Sequence, residues 1–413
     1  LTTAGNLSIG GSNNELRFYE GANYVGFEAP ALSADKIWVL PSADGTSGQA
    51  LTTNGGGGLS FTTVGGIPAR PNVRPLVING DMNISQRGAT ITSITSSGYR
   101  AVDRFRVGLI SSGTWTMSKS TTVPTGQGFA TSHKLDCTSA NGSLGASAIL
   151  TQQYKIEGQD LQLFKKGSSN SEYMTIAFWV RSNKTGTYVC ELFDNDNNRH
   201  IAKTYTIDSA NTWEKKVLAF AGDTSGVFGN DNGDSFHIRL HLAGGSNHTS
   251  GTLATSWASF TAANAMVGQT VNLADSTSNE WYCTGFQLEV GEYTASTLPP
   301  FQHETYTESI LRCHRYYIHG VGDTSLNPTA EAASTTTLQP TPQMRCAFRV
   351  SPTLTANPVG FIALIGGSGT TTTLIFSNMG INGFRYGLNH NSSVTNKQNI
   401  AMGGLGANMD AEI

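Results

Sequence analysis

Hydrophobic side chains recur at every second position through the middle of this chain. Between Tyr173 and Arg181, Met174, Ile176, Phe178 and Val180 fall on one face; between Phe236 and Leu242, Phe236, Ile238, Leu240 and Leu242 do so. A period of two sends successive side chains to opposite faces of an extended strand, so each run predicts an antiparallel strand with one face buried. Further runs lie at Tyr188 to Phe193, Trp213 to Phe220 and Trp281 to Val290. Short strands without a convincing amphipathic helix, from Leu76 to about Pro300, predict a two-sheet sandwich, most simply a jelly roll. Helical spacing occurs from Thr305 to Tyr317, where Ile310, Leu311, His314 and Tyr317 recur after a Pro-Pro stop. Val321 to Thr341 is rich in Thr, Ala and Pro, and the residues beyond return to short strands with Gly and Asn turns, a small third β unit.

The N-terminal part is patterned differently. Leu1 to Ser8 reads LTTAGNLS and Leu51 to Ser60 reads LTTNGGGGLS, one repeat with two added glycines. Strand-like runs lie between them at Glu15 to Tyr19, Tyr24 to Glu28 and Lys36 to Leu40. These hold too few large apolar residues for a private core, so the repeat must bury them against neighbours along the chain or in a symmetric oligomer. Ile67 to Pro75 (IPARPNVRP) reads as an extended linker.

Composition narrows the function. Of 413 residues only 13% are charged, against roughly 25% in ordinary soluble domains. Ser, Thr, Asn and 47 glycines cover the surface instead, which favours turns and strands. The length allows two or three domains. A net charge of −3 and no Lys/Arg run exclude a nucleic-acid stripe and a polybasic membrane patch. The longest apolar run, Phe361 to Ile365, is far short of the ~18 residues of a membrane span. The chain opens at Leu1 without a signal segment and is expected to be a piece of a longer polypeptide. Cys137, Cys190, Cys283, Cys313 and Cys346 are odd in number and widely spaced, and read as reduced, mostly buried thiols.

Several clusters are candidates for chemistry. No G-x-S-x-G elbow occurs, and the neighbours Cys313 and His314 on a helix point about 100° apart, so they make no dyad. Asp194, Asp196 and Asn198 have the first spacings of a calcium loop, but Arg199 and Tyr205 stand where its Gly and bidentate Glu belong. Asn230, Asp231, Asn232 and Asp234 form a second acidic loop. Both read as solvated hairpin turns or as calcium loops. His237, Arg239 and His241 share the strand face opposite the apolar one; the two histidines lie about 13 Å apart, too far to share a metal. That face is either a simple solvated surface or a polar surface for sugars or anions. A glycosidase pair among Glu191, Asp194, Asp231 and Asp234 is not singled out. Trp115, Trp179, Trp213, Trp257 and Trp281 all lie in the central domain; Trp179 reads as core, whereas Trp257, in a Ser/Gly-rich loop, is a candidate ligand or interface residue.

Asn79 to Gly88 (NGDMNISQRG) with Tyr99 to Phe105 (YRAVDRF), Phe178 to Ser182 (FWVRS), Thr284 to Gly291 (TGFQLEVG), Phe301, Arg312 to Tyr317 (RCHRYY), Met344-Arg345 with Ser351-Pro352-Thr353, and the closing DAEI together resemble bacteriophage tail-fibre proteins carrying a jelly roll related to carbohydrate-binding modules. Tyr24 to Phe61 is similar to their stalk repeats. Met82 and Ile84 stand where that family commonly has aromatics. By this resemblance Asp81 is a candidate ligand for a structural calcium; Asp103 and Arg104, read by their chemistry, suit a buried or semi-buried ion pair or a turn contact.

The expectation is an all-β, intertwined homotrimeric fibre: a β-repeat stalk over 1–66, a Pro-rich linker over 67–75, a central jelly-roll β-sandwich over 76–303, a short helical connector over 304–319 and a small C-terminal β tip over 320–413. It would reside on the virion as a tail fibre, be assembled in the host cytoplasm, meet a tail, baseplate or adaptor protein through its N-terminal region, and bind host surface polysaccharide or lipopolysaccharide. No nucleic acid, no membrane insertion and no enzymatic activity are expected, and Ca2+ is the candidate cofactor. The alternatives are a capsid fibre or decoration protein and a tailspike-type polysaccharide depolymerase. Candidate receptor contacts are Trp257, His237 and Arg239 in the sandwich and Phe384, Tyr386 and His390 in a distal loop from Asn378 to Asn391. Candidate calcium ligands are Asp81, Asp194, Asp196, Asp231 and Asp234.

Overall fold

The computed structural model describes residues 15–28, 33, 37–47, 49–63, 74–321, 330–332, 337–340, 347–357, 361–364, 367–380, 383–390, 401–403 and 406–412. They form two compact units, Leu1–Ile67 and Pro68–Ile413. The first contains two hairpins, β1 (Glu15–Glu20) with β2 (Asn23–Glu28) and β3 (Gln49–Thr53) with β4 (Leu59–Thr63). None of its described residues is buried. Phe18, Val25, Phe27, Ile37, Trp38, Val39 and Leu40 are exposed, Phe27 at 72% and Ile37 at 78%, as the scarcity of apolar residues there predicted.

The second unit is built on two antiparallel sheets. The seven-stranded sheet runs, in spatial order, β16 (Ala258–Ser259), β13 (Arg199–Ile207), β12 (Gly186–Asp194), β15 (Asp234–Gly244), β10 (Ile149–Glu157), β7 (Phe105–Ile110) and β6 (Gly98–Tyr99). The six-stranded sheet runs β14 (Glu214–Phe220), β11 (Met174–Ser182), β17 (Glu280–Val290), β9 (Ser132–Ser139), β8 (Thr114–Ser120) and β5 (Thr90–Ile94). All five strand runs read from the alternation are strands here. Their apolar faces meet in one core. Phe105 and Tyr154 from the first sheet reach Phe286 of the second at ring-centre distances of 5.7 and 6.3 Å, and Phe178 stacks on Phe286 at 5.7 Å. Aromatic rings of this size dominate the apolar area a sandwich buries. Strand β17 bulges opposite β11 between Ala177 and Trp179. Gly285 sits there at φ +60°, where a Cβ would lie 2.6 Å from the Phe129 ring, so the TGF of the motif needs its glycine.

A single-turn helix, α1 (Ser246–Thr249), follows β15, and α2 (Tyr306–His314) follows the sandwich. In α2 the Thr305 hydroxyl accepts from the Glu308 N–H while the Glu308 carboxylate accepts from the Thr305 N–H, a capping box that fixes the helix start. Beyond it, β26 (Gly406–Asp410) lies between β18 (Tyr317–Val321) and β21 (Thr353–Asn357). A further sheet comprises β19 (Ala330–Ala332), β20 (Thr337–Pro340), β22 (Phe361–Leu364), β23 (Gly367–Gly380), β24 (Gly383–His390) and β25 (Ala401–Gly403). Most of the expected distal loop from Asn378 is therefore a hairpin, β23 with β24. Its Thr-rich, β-branched approach favours strand. Cys137, Cys190, Cys283 and Cys313 are buried free thiols; Cys346 lies outside the described residues.

The chain end returns to the sandwich. Arg104, 1% exposed, pairs with Glu412, donates to the Lys155 carbonyl at 2.8 Å and lies 3.4 Å from the Tyr316 ring centre. Arg87 reaches Asp410 at 3.1 Å and Glu412 at 3.4 Å, and lies 3.5 Å from the Tyr317 ring centre. Arg349 donates to the main-chain carbonyls of Ala411 and Asn232. Fully buried Glu157 accepts from Arg315 at 2.6 and 2.8 Å and from the Tyr316 hydroxyl at 2.6 Å. The segments NGDMNISQRG, YRAVDRF, RCHRYY and DAEI thus meet in one network. Asp103 and Arg104, expected in a buried or semi-buried ion pair or a turn contact, do not pair with each other: buried Asp103 accepts from the Gln86 N–H at 2.9 Å, while Arg104 takes Glu412 as partner. Glu412→Ala leaves the Arg104 guanidinium buried without its counter-charge and is expected to cost about 3–5 kcal/mol in urea unfolding. A loss below about 1 kcal/mol, the range of exposed pairs, would show the pair to be unimportant to stability.

Candidate functional site

Strand pairing places polar side chains in register across the outer face of the seven-stranded sheet. One row runs Tyr99, Arg106, Gln153, Arg239, Glu191, Ala202 from β6 to β13. A second runs Lys155, His237, Phe193, His200, and a third Gly108, Thr151, His241, Val189. These are the alternate positions of strands whose other residues fill the core, so the fold that builds the sandwich also aligns this face.

Glu191 is its centre. It is fully buried and accepts from His200 Nδ1 at 2.8 Å, Arg239 at 3.1 Å and His241 Nε2 at 3.2 Å. Burial alone would raise its pKa, but the Arg239 charge and the two imidazole hydrogen bonds outweigh it and hold the carboxyl well below its usual range. Arg239 also donates to His237 Nδ1 at 3.0 Å, and the His237 Nε2–H donates to Asp234 at 2.7 Å. His237 is therefore held as the neutral Nε2–H tautomer, consistent with burial lowering its pKa. Lys155 completes the set on Asp234 at 2.6 Å. The Arg239 guanidinium lies 4.0 Å from the Phe193 ring centre. Its Nε, His200 Nε2 and His241 Nδ1 are buried without a hydrogen-bond partner among the described residues. Phe260, in the segment after α1, covers one end, 5.0 Å from the rings of both Phe193 and His200. Arg106, Gln153, Lys155 and Arg239 remain half-buried.

The sequence candidates fall in different places. His237 and Arg239 are in this face, and it is neither apolar nor a simple solvated surface: His237, Glu191 and His241 are buried. Trp257 is half-buried; its indole N–H donates to the Ala221 carbonyl at 2.7 Å and its ring lies 5.2 Å from the Lys166 ammonium. Phe384, Tyr386 and His390 lie on β24, and their side chains lie outside the described residues. The two acidic loops are adjacent, with the Asn195 amide donating to the Asp234 carbonyl at 2.7 Å and the Asp196 and Asp231 carboxylates both flanking Gly229. Asp194 is buried against the Lys166 ammonium, which also meets Asp223 at 3.1 Å and the carbonyls of Ser225 and Gly226 at 2.9 and 2.8 Å. A lysine nitrogen occupies the centre of that oxygen cage. Asp196 accepts from the Gly229 N–H, and Asp231 from the Gly233 N–H, each at 2.8 Å, as turn carboxylates do. Asp81, raised in pKa by burial, sits beside Asn83. Among the described residues no group of three or more His, Cys, Asp or Glu is arranged to hold a metal ion.

Sequence reasoning missed Tyr99, Arg106, Gln153, Lys155, Phe193 and His200. For Arg106, Gln153, Lys155 and His200 the signal was alternation in the runs FRVGLI, ILTQQYKIE and RHIAKTYTI, and Phe193 closes the run Tyr188 to Phe193, but only the register shows that they share a face with Arg239.

No protein-family model and no curated protein matches the chain. Among solved structures, it is similar to the enzymatically active domain of bacteriophage CBA120 tailspike protein 4 at 12% identity and TM-score 0.26, covering 52% of this chain and 21% of that one. It is similar to a carbohydrate-binding module of family 4 at 9% identity and TM-score 0.26, covering 51% and 97%. A family 11 module of a Clostridium thermocellum cellulosomal cellulase matches at 10% identity and TM-score 0.23, covering 51% and 95%. These likenesses are distant, and the chain spans about a fifth of the tailspike chain.

Two outcomes follow from the buried charges. Lys166→Met strips Asp194 of its ion-pair partner and is expected to cost about 3–5 kcal/mol in urea unfolding, against under about 1 kcal/mol if the lysine were replaceable by water. Asp234 has its pKa brought from 3.8 to about 2, because the His237 hydrogen bond and the hydrogen bond and charge of Lys155 overcome the opposing effect of burial. A depressed carboxylate contributes stability that is complete above its ordinary pKa and lost as pH falls through the folded-state value. Between pH 5 and pH 2 the native chain should therefore lose more unfolding free energy than Asp234→Asn; equal losses would remove Asp234 from the acid limb.

Proposed function

We propose that the chain is a tail-fibre adhesin of a bacteriophage, which attaches the virion to its host by recognising surface polysaccharide or lipopolysaccharide on the outer face of the seven-stranded sheet. The observation that carries this reading is the register row of guanidinium, amide and aromatic groups from Tyr99 to Arg239. Fixed donors beside aromatic surface are what a sugar site needs, since hydroxyls take the polar groups and the ring's apolar face takes the aromatics. The neutral hydroxyl and amide surface and the tail-fibre motifs support the same reading.

The protein acts by binding rather than cleavage. A glycosidase needs one carboxyl that keeps a proton near neutral pH. Glu191 and Asp234, the acids of this face, are both paired with cations and depressed. The exposed apolar residues of the first unit favour burial against other copies, and a homotrimer attached to the tail or baseplate through its N-terminal region fits them. Three weak sites per fibre then act together through effective concentration.

The test is binding of the full chain to polysaccharide and lipopolysaccharide purified from the host strain. Calorimetry is expected to give a Kd of about 0.1–1 mM per site, with binding to an immobilised glycan surface at least about 100-fold tighter. Light scattering should give the mass of three chains. Absence of binding to every host glycan, or the appearance of new reducing ends, would overturn the reading; a monomeric mass at micromolar concentration would remove the trimer.

A further inference from the structure

The charge on the outer face is unevenly spent. Its carboxylates, Glu191 and Asp234, are matched by Arg239 and by Lys155 with His237. Arg106 is left over. Half-buried and second in the row, beside the β6 edge, it makes no ion pair among the described residues, and its side chain donates to Gln153 Oε1 at 2.7 Å. Arg100 beside it donates to main-chain carbonyls of Ser96, Ser97 and Tyr99 and has no carboxylate either. Three cations thus meet two acids on the face, with a fourth cation at its β6 edge, in a chain whose net charge is −3. A local surplus of positive charge in a chain of opposite sign is held against its own self-repulsion: the Arg106 charge contributes to lowering the pKa of both Arg100 and Lys155, after burial.

The local backbone sets this guanidinium in place. Gly108, next on the same strand face, has no side chain, and a Cβ there would lie 2.3 Å from Thr151 Oγ1 and 2.7 Å from Gln153 Nε2. The Gln153 amide uses that space to donate to Thr151 Oγ1 at 2.9 Å while its oxygen accepts from Arg106. One donor of Arg106 is fixed this way, and the remaining N–H groups of its planar fork are left for an oxyanion. Tyr99 is its register partner on one side, and Arg239 lies two strands away on the other, about 10 Å across the sheet. From Tyr99 to Arg239 the row spans three strand spacings, about 14 Å, with Arg106 inside it.

Resting on the glycan-binding reading, we propose that this face selects acidic glycans, with Arg106 meeting the carboxylate or phosphate of the sugar between Tyr99 and Arg239. Neutral sugars leave the Arg106 charge uncompensated, so discrimination comes from the anionic group.

The experiment is a printed array of bacterial surface polysaccharides in matched acidic and neutral forms, probed with the full chain, Arg106→Gln and Arg106→Lys. Uronate polymers and phosphate-substituted polymers form separate arms and distinguish the two sources of the anion. Acidic features are expected to bind at least about tenfold more strongly than neutral ones, with Arg106→Gln losing that margin and Arg106→Lys keeping part of it. Raising salt from 50 to 300 mM should weaken acidic binding several-fold. An unchanged melting temperature checks that Arg106→Gln is folded. Equal binding of neutral and acidic features that is indifferent to Arg106→Gln overturns the inference while leaving the glycan reading standing; no binding to any feature overturns both.

Discussion

The buried pairing of Arg104 with Glu412 is the constraint around which the second unit is organised. A guanidinium at 1% exposure is tolerable only when its charge is matched and its donors are used. Its partners come from segments far apart: Glu412 lies 308 positions away, Tyr316 supplies a ring face, and the Lys155 carbonyl comes from β10. Such long closure is thermodynamically mild, because loop entropy grows only with the logarithm of length. It nonetheless makes the sandwich and the chain terminus interdependent, since neither the arginine nor the acid is satisfied until both are in place. Arg87, Arg315 and Arg349 repeat the arrangement around it, each matched to a carboxylate or a terminal carbonyl.

The same logic carries over to the outer sheet face. Glu191 has no exposure, yet sits on the side of β12 away from the core. It can be ionised there because the register puts Arg239 directly opposite and His241 two positions along the same neighbouring strand, while His200 reaches it from β13. A one-residue slip of β15 against β12 would send Arg239 into the apolar core and Leu240 onto the polar face. The buried acid therefore fixes the register, and with it the position of every group in the row. Rigidity of that kind is what a weak polar ligand requires, since it offers little apolar area to offset the ordering of mobile side chains.

How much of this was legible in the sequence depended on whether an element carries its own period. The five apolar alternations became strands, and the Thr305 to Tyr317 spacing became α2 only as far as His314, since Tyr317 opens β18 instead. Trp179 read as core because its neighbours are apolar, but the period that buries Phe178 and Val180 turns it outward, and it is half-buried. His237 and Arg239 were visible as a polar stripe; that the stripe is buried was not, because Glu191, Lys155 and Phe193 reach it from strands whose order no local pattern encodes. The acidic loops looked like cation loops for a sound reason. Asp194 does line an oxygen cage, and the cation in it is Lys166, 28 residues earlier, brought there by a turn that spacing rules do not cover. Likewise the segments NGDMNISQRG, YRAVDRF, RCHRYY and DAEI read as separate words until the fold joined them at Arg104.

The two units put opposite demands on the surrounding surface. In the first, large apolar side chains such as Phe27, Ile37 and Trp38 face outward, and exposed apolar patches are normally retained for contact with another protein. In the second, apolar groups are withdrawn into the core and the outer face is given to fixed charges and amides. On the proposed function, a fibre that assembles through one unit and adheres through the other would need this separation. Were the binding face apolar, it would compete with assembly; were the assembling surface charged, copies would repel. The proposed trimer then multiplies a face whose single-site affinity is limited by the polarity of its ligand, so the exposed residues of the hairpins and the buried acid of the sheet serve the same end from opposite directions.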